Sequence, residues 1–171
     1  MFTGSLVALV TPFDGEDRAD HASLKRLIDF HVEQGSDGIV IAGTTGESPT
    51  LRRSEHIELI GRALDIADGR IPVIAGTGSN STWQSIELSK AVADPRLAAY
   101  MAVVPYYNKP TQQGIYEHYM AIADAIDKPL LMYNVPGRTV ADMLPETVAR
   151  LATHGNIFGP VSYTHLTLPT K

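Results

Sequence analysis

The sequence contains no cysteine, and this absence excludes a disulfide framework and any thiolate metal site. It has no apolar run that approaches the roughly 20 residues of a membrane-spanning helix, and no basic stretch of the secretory type near Met1. Lysine and arginine are not clustered, and the formal net charge of −5 disfavours nucleic acid and anionic membranes as partners. The six histidines lack the spacing of metal ligands, so we expect no metal and no cofactor. These absences predict a soluble, cytoplasmic protein whose partners are small molecules.

Short β-branched segments alternate with longer segments of helical period, a pattern typical of parallel βα units. The predicted strands are 5–10, 38–42, 72–75, 101–104 and 129–133, and a sixth begins at 156–159. Helices are predicted from about Ala22, after Ser54, from Ser81, across 115–126 and from near Pro145. Asp20 and Gly35 are expected to cap the first helix, and Ser81 and Gln84 have the spacing of a capping box. The pattern predicts an α/β fold with about five and a half βα units.

The loops that follow four of these strands carry the residues of chemical interest, because active sites in parallel βα folds gather at the carboxyl ends of the strands. These loops are 43–47, 76–80, 105–108 and 133–139. The first places Thr44 and Thr45 between glycines, so its backbone can approach a small anion such as a carboxylate. A plain βα turn explains this loop equally well. The second loop favours a tight turn over a phosphate cradle, since no lysine follows in P-loop spacing.

Tyrosine and arginine stand out in the other two loops. Tyr106, Tyr107 and Tyr133 all fall at predicted strand ends, where a phenol linked to other hydroxyls can pass a proton. Packing with a satisfied hydroxyl is the alternative, and it holds for most tyrosines. Arg138 follows a Val-Pro-Gly turn, and its planar guanidinium matches a carboxylate, although a surface arginine is also possible.

Together, segments 43–48, 105–110 and 133–139 resemble the dihydrodipicolinate synthase family, and the resemblance runs from Met1 to Gly159. Segments 1–5 and 67–78 resemble it too. Within the pyruvate-dependent aldolases, the Tyr-Tyr-Asn loop and the arginine after Tyr-Asn-Val-Pro-Gly favour the synthase over sugar-acid lyases. The resemblance implies a (β/α)8 TIM barrel. Because such a barrel needs about 250 residues, we expect a truncated chain in which 1–159 are the N-terminal part of the barrel.

The resemblance also implies a mechanism. A lysine on the sixth strand forms a Schiff base with pyruvate, and the resulting enamine adds to L-aspartate semialdehyde. The product, 4-hydroxy-tetrahydrodipicolinate, lies on the route to diaminopimelate and lysine. By resemblance, Tyr133 is the proton donor and acceptor, Thr44 and Tyr107 complete the relay, Thr45 holds the pyruvate carboxylate, and Arg138 receives the second substrate. Tyr107 enters the adjacent subunit's site in this family, which implies a homo-oligomer, usually a homotetramer.

Family members that respond to lysine bind it in a cleft at the dimer interface. The corresponding residues here are Ser48, Pro49, His56, Asn80, Gln84 and Tyr106. Sensitive members often carry glutamate where Gln84 stands, and a neutral amide pairs less well with an ammonium group. The resemblance therefore implies weak inhibition by lysine.

The sequence departs from the family after Gly159. The family reads Gly-Ile-Lys there, whereas this chain has Pro160 and Val161, and a valine cannot form an imine. We expect residues 160–171 to be a tail outside the family pattern, either artefactual or disordered, and we expect the chain as written to be inactive. Two hypotheses remain: a damaged or truncated synthase, and a non-catalytic fragment that only binds carboxylates.

Overall fold

The structure is a computed structural model that describes residues 3–162. The strands are β1 (Leu6–Ala8), β2 (Gly38–Ile41), β3 (Val73–Gly76), β4 (Leu97–Val103), β5 (Leu130–Asn134) and β6 (Ile157–Ser162). The helices are α1 (His21–Glu33), α2 (Arg53–Ala67), α3 (Thr82–Ala91), α4 (Gln112–Ala125), α5 (Pro136–Thr139) and α6 (Pro145–Leu151), with a 3₁₀ turn at Ser48–Thr50. Across residues 3–162, none of the helices combines the length and apolar character needed to cross a membrane. The alternation of strands and helices is that of the predicted α/β class.

The chain divides into two compact units, and the described residues of the first are 3–76 and 91–99. In it β1 pairs with β2 and β2 with β3, all in parallel. Every residue of β2 and β3 is buried, as expected of parallel strands covered on both faces. Helices α1 and α2 contact each other through stripes that bury, among others, Leu24, Ile28 and Leu59. The core of this unit is therefore apolar strand covered by amphipathic helix.

The described residues of the second unit are 77–90 and 100–162. Here β4 pairs with β5 and β5 with β6, again in parallel, and all five residues of β5 are buried. The register sets Val103 of β4 and Val161 of β6 on either side of Tyr133. Helix α4 contacts α6 and buries Ile115, Tyr119 and Ile122 in its core face.

The ends of α1 form as predicted. The Asp20 side chain accepts hydrogen bonds from the amides of Ala22 and Ser23, both at 3.0 Å. At the other end Gly35 has φ of 74°, a left-handed conformation that suits glycine, and the Ser36 amide donates to the His31 carbonyl at 3.0 Å. Both predicted caps are confirmed.

Several local features differ from the sequence prediction. The capping box at α3 is wrong in its second half: the Gln84 amide donates to Ser81 Oγ at 3.4 Å, but the Gln84 side chain accepts from Ser79 Oγ at 2.9 Å. Strand β4 begins at Leu97, four residues before its predicted start. Residues 136–139 form a one-turn helix instead of a plain turn. Strand β6 continues past Gly159 through Pro160 to Ser162, while residues 163–171 of the predicted tail lie outside the described part of the chain.

Candidate functional site

The loop after β2 presents Thr44 and Thr45 with exposed side chains between the buried glycines Gly43 and Gly46. The amides of Gly46 and Ser48 both donate to the Gly43 carbonyl, at 3.1 and 3.3 Å, and the Glu47 amide donates to the Thr44 carbonyl. Gly46 approaches other backbone closely, since a Cβ there would lie 3.0 Å from the Leu9 carbonyl oxygen. These three amides are occupied within the turn. The loop therefore offers a ligand the two hydroxyl groups and the remaining amides.

The predicted lysine-site residues of the first unit lie just beyond this loop. Ser48 is half-buried and Pro49 exposed, at the start of the 3₁₀ turn. His56 on α2 is buried, and its Nε2 donates to the Gly76 carbonyl at 2.7 Å. Burial lowers the pKa of His56 below its ordinary value. This histidine is therefore neutral at physiological pH, with Nε2 protonated.

Tyr133 occupies the carboxyl-terminal part of β5 and is 5% exposed. Its carbonyl accepts from the Val104 amide at 2.8 Å, so the end of β4 is tied to it. Val161 is its register partner on β6. In parallel strands, register partners have side chains on the same face of the sheet. Residue 161 is thus the β6 residue whose side chain neighbours that of Tyr133.

Tyr107 follows β4 and is displayed outward, with 85% of its surface exposed. Its φ of 71° is left-handed, which is uncommon for a bulky residue. The Tyr107 amide donates to the Thr139 carbonyl at 3.3 Å, which joins its loop to helix α5. Arg138 lies on that helix with an exposed side chain. The second unit therefore brings the Tyr107 loop and the Arg138 helix together.

The other predicted residues of the second unit lie near the start of α3. Tyr106 and Asn80 are half-buried and Gln84 is exposed. The Asn80 carbonyl accepts from Asn108 Nδ2 at 3.5 Å, so the loops after β3 and β4 are linked. The Gln84 amide oxygen is occupied by Ser79. The structure thus gathers Asn80 and Tyr106 on linked loops, with Gln84 in the first turn of α3.

Two groups of side chains were missed by the sequence analysis. Asn134 and Gln112 hold the segment that follows Arg138 through several hydrogen bonds. His118 on α4 is 4% exposed, and its Nδ1 forms a hydrogen bond with Thr82 Oγ1 at 2.9 Å. Its Nε2 has no hydrogen-bond partner among the described residues. The only signal for Asn134 was an amide directly after the predicted apolar strand 129–133.

Within residues 3–162 no cluster of three histidine or carboxylate side chains could hold a metal ion.

Comparison with known proteins supports one family. The model of the dihydrodipicolinate synthetase family matches residues 1–162. The 4-hydroxy-tetrahydrodipicolinate synthase of Pseudoalteromonas atlantica is 57% identical over 159 residues, which are 93% of this chain and 54% of that protein. The enzyme of the same name from Persephonella marina is 60% identical over 151 residues, or 88% of this chain and 51% of that protein.

Solved structures agree with the sequence match. A crystal structure of dihydrodipicolinate synthase from Acinetobacter baumannii, complexed with pyruvate, superposes with a TM-score of 0.93 at 49% identity over 96% of this chain and 56% of that one. The Aquifex aeolicus enzyme gives 0.86 at 47% identity over 89% and 52%. This chain spans about half the length of the relatives that it matches, and the predicted (β/α)8-barrel fold class is confirmed. The chain belongs to the dihydrodipicolinate synthetase family.

Proposed function

We propose that the intact enzyme condenses pyruvate, held as a Schiff base, with L-aspartate semialdehyde to give 4-hydroxy-tetrahydrodipicolinate, and that the chain as written lacks the lysine for this step. The proposal is supported by the family match and by the names of the relatives. It would make the enzyme a cytoplasmic lyase of lysine and diaminopimelate biosynthesis. Pyruvate and L-aspartate semialdehyde are its substrates in this proposal, and it uses no cofactor.

The observation that carries the proposal is the register of Tyr133 with Val161. A lysine at position 161 would stand beside the Tyr133 phenol, on the same face of the sheet. Its amine attacks the keto carbon of pyruvate and water leaves, which yields an iminium. The iminium accepts the electron pair when the methyl group loses a proton, and a phenol at this position can carry that proton. Valine supplies no amine, so the chain as written is inactive in this proposal.

The remaining roles follow from the chemistry of each side chain. Thr44 and Tyr107 extend the proton relay from Tyr133, and Thr45 holds the pyruvate carboxylate with its exposed hydroxyl. Arg138, exposed on α5, receives the carboxylate of the semialdehyde. The exposure of Tyr107 suits a side chain that completes the site of a neighbouring subunit, so the proposed assembly is a homo-oligomer, a tetramer in its usual form.

Feedback by lysine is part of the proposal, at Ser48, Pro49, His56, Asn80, Gln84 and Tyr106. Gln84 is neutral and already accepts from Ser79, so we expect inhibition by lysine to be weak and Gln84→Glu to strengthen it. The measurement is the concentration of lysine that halves the rate, with Ser79→Ala as the control for loss of the Ser79 contact. An enzyme indifferent to millimolar lysine, with either residue at position 84, would contradict this part.

A second candidate function is carboxylate binding without catalysis. Val161 favours it directly, because the loops with Thr44, Thr45 and Arg138 are kept while the amine is missing. Another pyruvate-dependent aldolase, such as a sugar-acid lyase, is disfavoured by the Tyr-Tyr-Asn loop and by Arg138. Both candidates are separated from the main proposal by one experiment.

The experiment uses a completed chain, in which residues 1–159 are followed by the remaining half of the P. atlantica relative. We expect it to condense pyruvate with aspartate semialdehyde and to lose this activity with Tyr133→Phe. A matched completed chain that keeps Val161 in the lysine's place should be folded and inactive. Turnover of sugar-acid aldehydes instead would favour the sugar-acid lyase, and a folded completed chain without any turnover would contradict the proposal.

A further inference from the structure

Two amide side chains hold the segment that returns from Arg138, and we call Asn134 and Gln112 the amide clasp. Asn134 Nδ2 donates to the Asp142 carboxylate at 2.8 Å, and Asn134 Oδ1 accepts from the Met143 amide at 3.2 Å. Gln112 Nε2 donates to the Asp142 carbonyl at 2.7 Å, and its Oε1 accepts from the Leu144 amide at 3.0 Å and from a threonine hydroxyl of α6 at 2.6 Å. The clasp thus binds three consecutive residues from two sides.

Helix α5 and Val140, which precede the residues that the clasp binds, need support from outside their own segment. Helix α5 has four residues, far fewer than a helix needs to persist in isolation. Val140, which ends it, has φ of 58° and is 67% exposed, so a β-branched residue sits in a left-handed conformation without burial to compensate. Such a conformation persists only where the surroundings fix it. The clasp lies directly beyond Val140 and supplies that restraint.

Thr139 connects the clasp to the residues of the candidate site. Its buried hydroxyl contacts the Val135 and Ala141 carbonyls at 3.1 and 2.8 Å, which closes the turn around α5. Its carbonyl accepts from the Tyr107 amide. Arg138 therefore lies between the strand residue Asn134 and the segment that Asn134 binds, one residue from the link to Tyr107.

We infer that Asn134 is a positioning residue that acts through Asp142 to fix the segment carrying Arg138, and so sets the affinity for the carboxylate of the second substrate. This inference rests on the proposed function for the role of Arg138. Both ends of the Asn134 side chain are used, one as donor and one as acceptor. Asn134→Asp keeps the acceptor, loses the donor and sets a carboxylate against Asp142, where like charges repel.

The chain itself offers a rescue variant. In the double variant Asn134→Asp, Asp142→Asn, the amide at position 142 can donate to the carboxylate at position 134, which still accepts from the Met143 amide. The donor and acceptor are exchanged and the contact is restored. A residue that matters only for bulk or packing would gain nothing from this exchange.

The test measures KM for aspartate semialdehyde in the completed chain. Asn134→Asp should raise KM roughly tenfold, the effect of one lost charge-assisted contact, and the double variant should recover most of it. In an Arg138→Ala background, Asn134→Asp should add little, because both changes remove the same interaction. An unchanged KM, a full additive effect on Arg138→Ala, or no recovery in the double variant would overturn the inference.

A second measurement does not depend on the proposed function. Hydrogen exchange of the unmodified 171-residue chain should show protected amides at Met143 and Leu144. Asn134→Ala, which removes the acceptor of the Met143 amide, should remove protection at Met143, and Gln112→Ala, which removes the acceptor of the Leu144 amide, should remove it at Leu144. Gln113→Ala is the matched control, because Gln113 contacts Arg150 and not the held segment. Retained protection at Met143 in Asn134→Ala and at Leu144 in Gln112→Ala would overturn the clasp itself. Lost protection together with an inactive completed parent would instead show that the clasp is real and the proposed function is wrong.

Discussion

Arg138→Ala in the completed chain should lower kcat/KM for aspartate semialdehyde by about one to two orders of magnitude or more, since a charge-assisted contact contributes roughly 1.5–3 kcal/mol. Arg138 is exposed on α5, and its amide donates to the Val135 carbonyl at 2.9 Å, so its backbone is fixed while its side chain remains accessible. The loss should concern the second substrate, because the proposed pyruvate carboxylate site is at Thr45. Steady-state kinetics with each substrate varied in turn measures both effects.

Arg138→Lys is the matched control for this prediction. Lysine keeps the charge but loses the planar fork that binds a carboxylate through two parallel hydrogen bonds. We expect an intermediate kcat/KM, above that of the alanine variant and below that of the parent. Kinetics for the semialdehyde that are unchanged in Arg138→Ala would remove this residue from the site.

Acid should destabilise the chain through His118. Burial lowers the pKa of His118 from 6.5 to about 4, because the ring lies 96% buried beside Thr82 and Tyr119 with Nε2 unpaired within the described residues. Between these two values the unfolded chain binds a proton that the folded chain does not. The contribution of the neutral His118 to the free energy of unfolding is therefore fully present above pH 6.5. It falls as the pH is lowered and is lost near pH 4. The total is roughly 3 kcal/mol.

The measurement is the free energy of unfolding in urea from pH 7.5 to pH 4, compared with His118→Asn. Asparagine can keep the contact with Thr82 through its amide but does not titrate. Because the buried His56 contributes a pH dependence of the same sign, the prediction is the difference between parent and variant. That difference should grow with acid below pH 6.5. Parallel pH profiles for the two proteins would show that His118 is not the titrating group.

The sequence predicted those features of the fold that depend on neighbours along the chain. Each helix-period stripe and each short β-branched run carries its own signal, and the Asp20 cap needs only the two amides that follow it. Gly35 was predictable because few other residues adopt its left-handed conformation at low cost. The strand ends, and with them the loops of the candidate site, followed from this local information.

Features that depend on distant residues were not predictable in the same way. The alanine-rich start of β4 carries little strand propensity and is a strand through its pairing, as at Tyr100 beside Leu130. The Gln84 side chain does not complete the capping box because its oxygen accepts a hydrogen bond from the nearby Ser79 hydroxyl. The amide clasp joins residues eight to thirty-five positions apart. The periodicity of the sequence does not predict such long-range hydrogen-bonded pairs.

The candidate site also has features that depend on neighbouring residues and features that depend on distant ones. The motif predicted roles for Tyr133 and Arg138, and these remain predictions. The register of Val161 with Tyr133 and the contact of Tyr107 with Thr139 came only from the strand pairing and the loop geometry. The register matters most for the proposed function, because it sets residue 161, the proposed position of the lysine, beside Tyr133.

Whether the chain can form the Schiff base is tested most directly by reducing the unmodified 171-residue chain with borohydride in the presence of pyruvate, followed by intact mass spectrometry. We expect no pyruvyl adduct, because the proposed position of the reactive lysine is Val161. Of the lysines between residues 3 and 162, Lys25, Lys90 and Lys109 are exposed at the surface, and the half-buried Lys128 precedes β5. The completed chain, treated in parallel, should gain one reduced pyruvyl group on its sixth-strand lysine. A stoichiometric adduct on a single lysine of the unmodified chain would show that this chain has its own reactive lysine and would contradict the proposed inactivity.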